Sequence, residues 1–475
     1  MKAGTISSLS SSVGSPSLLE HVESITSSFA DLAWGPWLLI LLLGGGLFFL
    51  IQSRLAPFFY LRHALNLLSG RYDQQSDPGQ ISHFKALSSA LAGTIGMGNI
   101  AGVALAIKIG GPGAIFWMWM TAILGIATKF FTCSLAVMYR GKDSNGDLQG
   151  GPMYVIREGL PKRYHFLAYF FAVTAMVGCL PVLQSNQLIQ IVREVIAPRL
   201  GVGAQLEPMI FNLTCGILLA CLVALVILGG LKRISQVAAA LVPSMTLLYV
   251  GAISVALVLN ADQIINALSL ILNDAFSGEA AAGGSLMAMM IYGVQRGAYS
   301  NEAGIGTESL AHGAAKTSEP IREGLVAMLG PIIDTLLICT ATALMILISG
   351  VWLSETGQGV TLTASAFTSL LGPAGTVIIF VCVLSFATTT IFTYSFYGSQ
   401  CASFVLGAKH APNYRYFFIL FIVLSSIVSL DAAVGLIDGS FALMAIPTTV
   451  SALLLAPKVK QAADQYFKTL KKNPS

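Results

Sequence analysis

Charge is scarce in this sequence: Asp, Glu, Lys and Arg make up 10% of its 475 residues, against about 25% in ordinary soluble domains. That shortage excludes a water-bathed globular surface. There is no G-x-x-x-x-G-K-[ST] phosphate loop, so direct coupling to ATP within this chain is not expected. The seven cysteines fall inside or at the ends of apolar runs and form no C-x-x-C pair, which argues against a disulfide or metal framework. The six histidines lie in loops or at the ends of apolar runs, with neither metal-ligand spacing nor a paired nucleophile. An embedded enzyme is therefore disfavoured. Residues 1–33 are Ser-rich and weakly acidic, without a short apolar run ending in a small-residue cleavage site, so no cleaved signal peptide is expected.

What is abundant is apolar: 55% of residues are hydrophobic and the mean hydropathy is +0.76. A hydrocarbon core needs about 20 such residues per helical span, and eleven stretches qualify. The fold class expected is an all-α polytopic membrane protein. An extracytoplasmic segment, 1–33, precedes an extra span at 34–53. Two groups of five spans follow, 84–259 and 285–457, and a tail at 458–475. Five is odd, so the two groups are inverted with respect to each other. An amphipathic stretch, Ala261 to Phe276, joins them.

Short cytoplasmic loops carry the excess of Lys and Arg. With the N-terminus outside, twenty of the 26 basic residues fall on the inner side, including Arg140, Lys142, Arg157 and the tail lysines. Only Lys2, Lys108, Arg193 and Arg199 stay outside, while Lys129 and Arg296 fall within spans. The net charge of +4 thus reflects a membrane face and not a nucleic-acid surface.

The first span of each group is interrupted. Gly93-Thr94-Ile95-Gly96-Met97-Gly98-Asn99 interrupts one, and the run from Tyr292 to Thr307, with Gly293, Gly297, Gly304 and Gly306, interrupts the other. Glycine costs about 1 kcal/mol in a helix interior, and unpaired main chain in lipid costs several kcal/mol per group. Paired breaks at matching positions point to a transport site, where half-helix N-termini meet an anionic group and freed carbonyls a cation. Close helix packing is the competing reading, as at Gly98-xxx-Gly102.

A zwitterion at this depth needs donors and acceptors. The main-chain N–H groups at Gly96, Gly98 and Asn99 supply donors, with Thr94 alongside and Asn99 able to hold either carboxylate or cation. Asp334 is an intramembrane acid, and such residues are functional candidates by default. Its structural alternative is a pair with Arg296 or Lys129. If a proton drives transport, Asp334 or Glu302 is its natural carrier.

Five separated motifs resemble the alanine or glycine:cation symporter family, which has the leucine-transporter (LeuT) fold with one added N-terminal helix. They are Gly93 to Val103, Gly110-Gly-Pro-Gly-Ala-Ile-Phe-Trp-Met-Trp119, Gly150-Gly-Pro-Met-Tyr154, Ser300-Asn-Glu-Ala-Gly-Ile-Gly306 and Asp334 to Thr340. The resemblance implies uptake of a small neutral amino acid (alanine or glycine, D-alanine included) with sodium or, less often, protons. It implies a plasma-membrane location and no cofactor beyond the co-transported sodium ion. By the same resemblance the carbonyls of Ala92, Ile95 and Phe386 and the hydroxyls of Thr389 and Thr390 hold sodium. Gln184 and Tyr394 join Thr94, Gly96, Met97, Gly98 and Asn99 around the substrate. The threonines' alternative is bonding back to their own helix. Two departures stand out: Met97 replaces the family's usual threonine, and Tyr394 stands in place of its tryptophan. A channel is the competing class, and it requires a continuous polar pore.

Overall fold

The computed structural model describes residues 18–74, 76–201, 206–277, 286–353 and 357–472. The first 17 residues of the expected 1–33 segment, position 285 at the start of the second group, and the last three residues of the tail lie outside the described residues.

Helix α1 (Leu18–Ala33) meets α2 (Pro36–Gln52) at a bend of 50°. Gly35 and Pro36 set that corner, because proline at the first helical position gives up no bonded N–H. The first broken span is α3 (His83–Thr94) and α4 (Gly98–Gly110), bent by 49°. Then come α5 (Ala114–Met138), α6 (Lys162–Leu200), α7 (Pro208–Ile227), α8 (Gly230–Leu259) and α9 (Ala261–Ser277). The second broken span is α10 (Leu286–Asn301) and α11 (Thr307–His312). The chain continues through α12 (Pro320–Ser349), α13 (Val360–Leu406), α14 (Ala411–Ser425) and α15 (Leu430–Lys472). Gly372 has φ +63° before Pro373 and kinks α13. Among the described residues seven helices are long and apolar enough to cross a membrane, or nine with α1–α2 and α3–α4 each taken as one span.

Helix α7 shows why the bundle needs lipid. Its Leu218 and Leu225 are 65% and 70% exposed, and a helix apolar on all sides is stable only where hydrocarbon or protein covers it. The inner ring is different: α3, α4, α5, α10 and α11 are largely buried. Small residues let them approach. A Cβ on Gly293 would stand 2.5 Å from the Ala114 carbonyl oxygen, and one on Gly297 would stand 2.1 Å from Thr121 Oγ1. These two glycines sit inside a continuous α10, so they serve packing against α5 and not the break. The expectation that they interrupt the helix is corrected on that ground.

Two other motifs are also contacts. Gly113 N–H donates to Asp274 Oδ2 at 2.7 Å, fixing α9 across the start of α5. A Cβ on Gly150 would lie 2.6 Å from the Gly313 Cα, so the Gly-Gly-Pro-Met-Tyr run abuts the end of α11. Nearby, Arg140 donates to the carbonyls of Gly313 (2.7 Å), Thr317 (3.1 Å) and Ala315. Glu323 ties the same end together, bonding His83 on α3 and, at 2.5 Å, His312 on α11.

Candidate functional site

The first break is local. Ile95 leaves the helix with ψ +87°, and helical geometry resumes at Met97 before a wide turn over Gly98–Gly102. The second break spans Glu302 to Gly306, where Glu302, Gly304 and Gly306 have φ of +55°, +83° and +102°. Glutamate rarely adopts a positive φ. The two breaks face each other: a Cβ on Gly98 would stand 3.1 Å from the Tyr299 ring and 3.3 Å from the Ser300 Cα.

Asn99 ties them together. Its Oδ1 accepts the Gly96 N–H at 2.9 Å, and its Nδ2 donates to Asp334 Oδ1 at 2.6 Å. Ser300 Oγ and Thr335 Oγ1 donate to Asp334 Oδ2 at 2.6 and 2.8 Å. Asp334 thus collects donors from α4, α10 and its own helix. The expected pairing with Arg296 does not occur, because Arg296 bonds the buried Asp438 of α15 instead. Asp334 forms no ion pair with Lys129 among the described residues. Sequence reasoning missed Asp438, although an acid within the last apolar span was a visible signal.

Gln184, on α6, donates to the Tyr299 hydroxyl at 3.2 Å, and its Oε1 has no partner. Tyr394, on α13, donates to Glu302 Oε1 at 2.6 Å, while Thr307 donates to Oε2 at 2.5 Å. Met97 and Thr94 are buried beside the first break, and Thr94 Oγ1 is 3.5 Å from its own helix's Leu91 carbonyl. Gln184–Tyr299 and Tyr394–Glu302 are thus two hydrogen-bonded pairs whose tyrosine rings both neighbour Phe441, and Tyr299 was not singled out from sequence.

The expected sodium ligands fall on α3 and α13. Thr390 faces the first break, since a Cβ on Gly96 would stand 2.4 Å from its Oγ1. Thr390 Oγ1 donates to the Phe386 carbonyl at 2.9 Å, and Thr389 Oγ1 donates to those of Ser385 (2.8 Å) and Phe386 (3.1 Å). Donating hydroxyls keep their lone pairs. Thr389 also stands 3.7 Å from the Met245 sulfur of α8. Ala92 and Ile95 are fully buried at the end of α3.

A helical bundle with two opposed broken spans and polar groups gathered at the gap belongs to the class of secondary transporters. The model of the sodium:alanine symporter family matches residues 19–475, and the chain belongs to that family. It is 38% identical to the sodium/alanine symporter AgcS of Methanococcus maripaludis over 459 residues, covering 95% of this chain and 98% of that one. An uncharacterized transporter of Haemophilus influenzae is 37% identical, with the same coverage. The probable sodium/glutamine symporter GlnT of Bacillus subtilis is 33% identical over 96% of this chain and 92% of its own. Among solved structures, MhsT in complex with L-phenylalanine superposes with a TM-score of 0.56 at 12% identity, covering 82% of this chain and 99% of that one. That likeness establishes the LeuT-type fold. The chain is a multi-pass membrane carrier coupling amino-acid movement to a cation, and not an enzyme.

Proposed function

We propose that this carrier imports a small neutral amino acid, alanine or glycine with D-alanine included, together with sodium, by alternating access to the gap between the two breaks. The observation that carries the reading is the pairing of those breaks through Asn99, Ser300 and Asp334. In this reading the substrate carboxylate meets the main-chain N–H groups of Met97 and Gly98, since those of Gly96 and Asn99 bond Asn99 Oδ1 and the Gly96 carbonyl, and Gln184 Oε1 accepts from its ammonium. The rings of Tyr299 and Tyr394 both pack on Phe441, with centroids 5.3 Å (Tyr299–Phe441) and 6.4 Å (Tyr394–Phe441) apart, beside the second break. Sodium lies between the Ala92 and Ile95 carbonyls and Phe386, Thr389 and Thr390. The α1 end faces outward and the Arg140 end inward, as the basic loops favour. An inward-moving sodium ion then gains about 2.3 kcal/mol per 100 mV.

Proteoliposomes test this directly. Labelled L-alanine should accumulate under an inward sodium gradient, and unlabelled glycine and D-alanine should compete. Uptake that ignores sodium and follows a proton gradient would overturn the ion assignment, and flux without any gradient dependence would overturn symport.

A further inference from the structure

Just past the end of α2 the chain turns sharply. Arg54 and Leu55 hold φ of +52° and +60°, a left-handed corner made without glycine. Such backbone is strained and persists only where its surroundings hold it. Two short helices follow, Ala56–Phe59 and Leu61–Leu68. Their inner face is occupied: Ala64 and Leu67 are buried, Tyr60 stacks on Phe467 of α15 with ring centroids 4.0 Å apart, and His63 Nε2 lies 2.7 Å from the Tyr466 hydroxyl oxygen.

The other face is bare. Phe58, Leu61 and Leu65 are spaced three and four residues apart, which places them on one stripe, and all three are exposed, as is Phe59 at 76%. A contiguous apolar patch of this kind marks a surface that something else covers. The charge beside it is of one sign. Arg62 is exposed next to the stripe and Arg54 just ahead of it, and from Arg54 to Tyr72 the sequence holds three arginines and no carboxylate. Directly after Phe467 the tail adds Lys468, Lys471 and Lys472, all exposed. Among the described residues, neither these lysines nor Arg54 and Arg62 form an ion pair.

Two features together define the occupant. A free anion would satisfy the arginines and leave the stripe in water, and a neutral lipid would cover the stripe and leave the arginines uncompensated. A molecule with phosphate above acyl chains satisfies both, and the segment sits where a span leaves the hydrocarbon. We propose that the segment from Arg54 to Leu68 is a docking surface for anionic phospholipid, with a headgroup phosphate on Arg54 and Arg62, the acyl chains along Phe58, Leu61 and Leu65, and the tail lysines on neighbouring headgroups. The inner face of the same helix holds the tail, and the chain runs on from it into α3, so bound lipid braces the Arg140 end of the bundle. This surface is independent of which amino acid or ion the carrier moves.

Native mass spectrometry of the detergent-purified full chain tests the charge. Phosphatidylglycerol should be retained in preference to phosphatidylcholine of the same acyl chains. Arg54→Gln with Arg62→Gln should weaken its binding about five- to twenty-five-fold, on the scale of fivefold per arginine at a charged membrane surface. Lys162→Gln with Arg163→Gln, two exposed basic residues elsewhere, should leave it within twofold. Equal retention of the two lipids, or an equal loss in both double variants, overturns the proposal. So does a wild-type dimer that the Arg54 and Arg62 changes convert to monomer, because the face is then a contact between copies. The stripe is tested separately, in phosphatidylglycerol vesicles whose acyl chains carry bromine. Leu65→Trp, added to the five native tryptophans, should give an extra emission that the bromine quenches. An extra emission that is red-shifted and unquenched, as in water, overturns the docking surface.

Discussion

Asn99 and Asp334 are joined at 2.6 Å, and the same amide that donates to the aspartate accepts the Gly96 N–H from the first helix break. One side chain thus satisfies main chain that the break exposes and fixes a carboxylate on a different helix. Asn99→Ala removes both bonds at once. A buried polar group left unpaired costs about 1–3 kcal/mol, more when charged, so alanine uptake should fall at least tenfold, and the midpoint of thermal unfolding should drop with it. Uptake within twofold of wild type would show that the contact is dispensable.

Thr389 and Thr390 are expected to act on sodium before they act on the amino acid. Each hydroxyl donates to a carbonyl of α13 and keeps lone pairs for a cation. Thr389→Ala and Thr390→Ala should each raise the sodium concentration for half-maximal uptake about five- to thirtyfold, the equivalent of 1–2 kcal/mol. The order of competition among amino acids should not change. Thr388, whose hydroxyl bonds Leu384 at 2.7 Å, provides the control. A sodium response no different from that of Thr388→Ala would remove both residues from the ion site.

Gly297 illustrates what sequence could and could not say. A Cβ there would overlap Thr121 Oγ1, and Gly251 has open space around it. Gly297→Leu should therefore lower stability by about 1–3 kcal/mol or more through overpacking. Gly251→Ala should be neutral or raise stability by up to about 1 kcal/mol, the helix-propensity difference. Detergent melts of the two variants decide it. Melts in which Gly297→Leu matches wild type would contradict the close approach of α10 to α5.

The apolar runs made the helices legible, since each must satisfy its own main chain in lipid, and Ala261 to Phe276 is indeed an amphipathic helix, α9. The first break was equally visible in the glycines of Gly93 to Asn99, and the helix does leave its geometry there, at Ile95. Sequence placed the second break too broadly. Glycine marks both a bend and a close approach, and only coordinates separate Gly304 and Gly306, at positive φ, from Gly293 and Gly297. Pairings across the bundle were least legible. Nothing in the local sequence tells Arg296 to choose Asp438, 142 residues away, over Asp334.

The Arg140-side end should be a stability element. Glu323 is fully buried and accepts from His83 and His312, which start α3 and end α11. Removing one partner from a buried charged pair costs about 3–5 kcal/mol. Glu323→Ala should lower expression and melting temperature strongly, and Glu323→Gln less so, because the amide can still bond both rings. Equal melting of the two variants would mean that the carboxylate's bonds do not hold these helices.

Glu302 joins the strained break to the proposed substrate wall. It holds φ +55°, is fully buried, and takes hydroxyl bonds of 2.6 Å from Tyr394 and 2.5 Å from Thr307. Two hydroxyls thus aim at one buried carboxyl, so Tyr394 is oriented by Glu302 and not by packing alone. Glu302→Gln keeps the size and weakens both bonds, and Tyr394→Phe removes one of them. Each should lower kcat/KM for alanine, Glu302→Gln by tenfold or more and Tyr394→Phe by about threefold to tenfold, on the scale of one buried hydrogen bond. Because the two residues share that bond, the double variant should lose less than the product of the single losses, with a coupling of about 0.5–3 kcal/mol. Strictly multiplicative losses would show that Glu302 acts through something other than Tyr394. Proton-driven uptake in the wild type that vanishes in Glu302→Gln would then identify that other role.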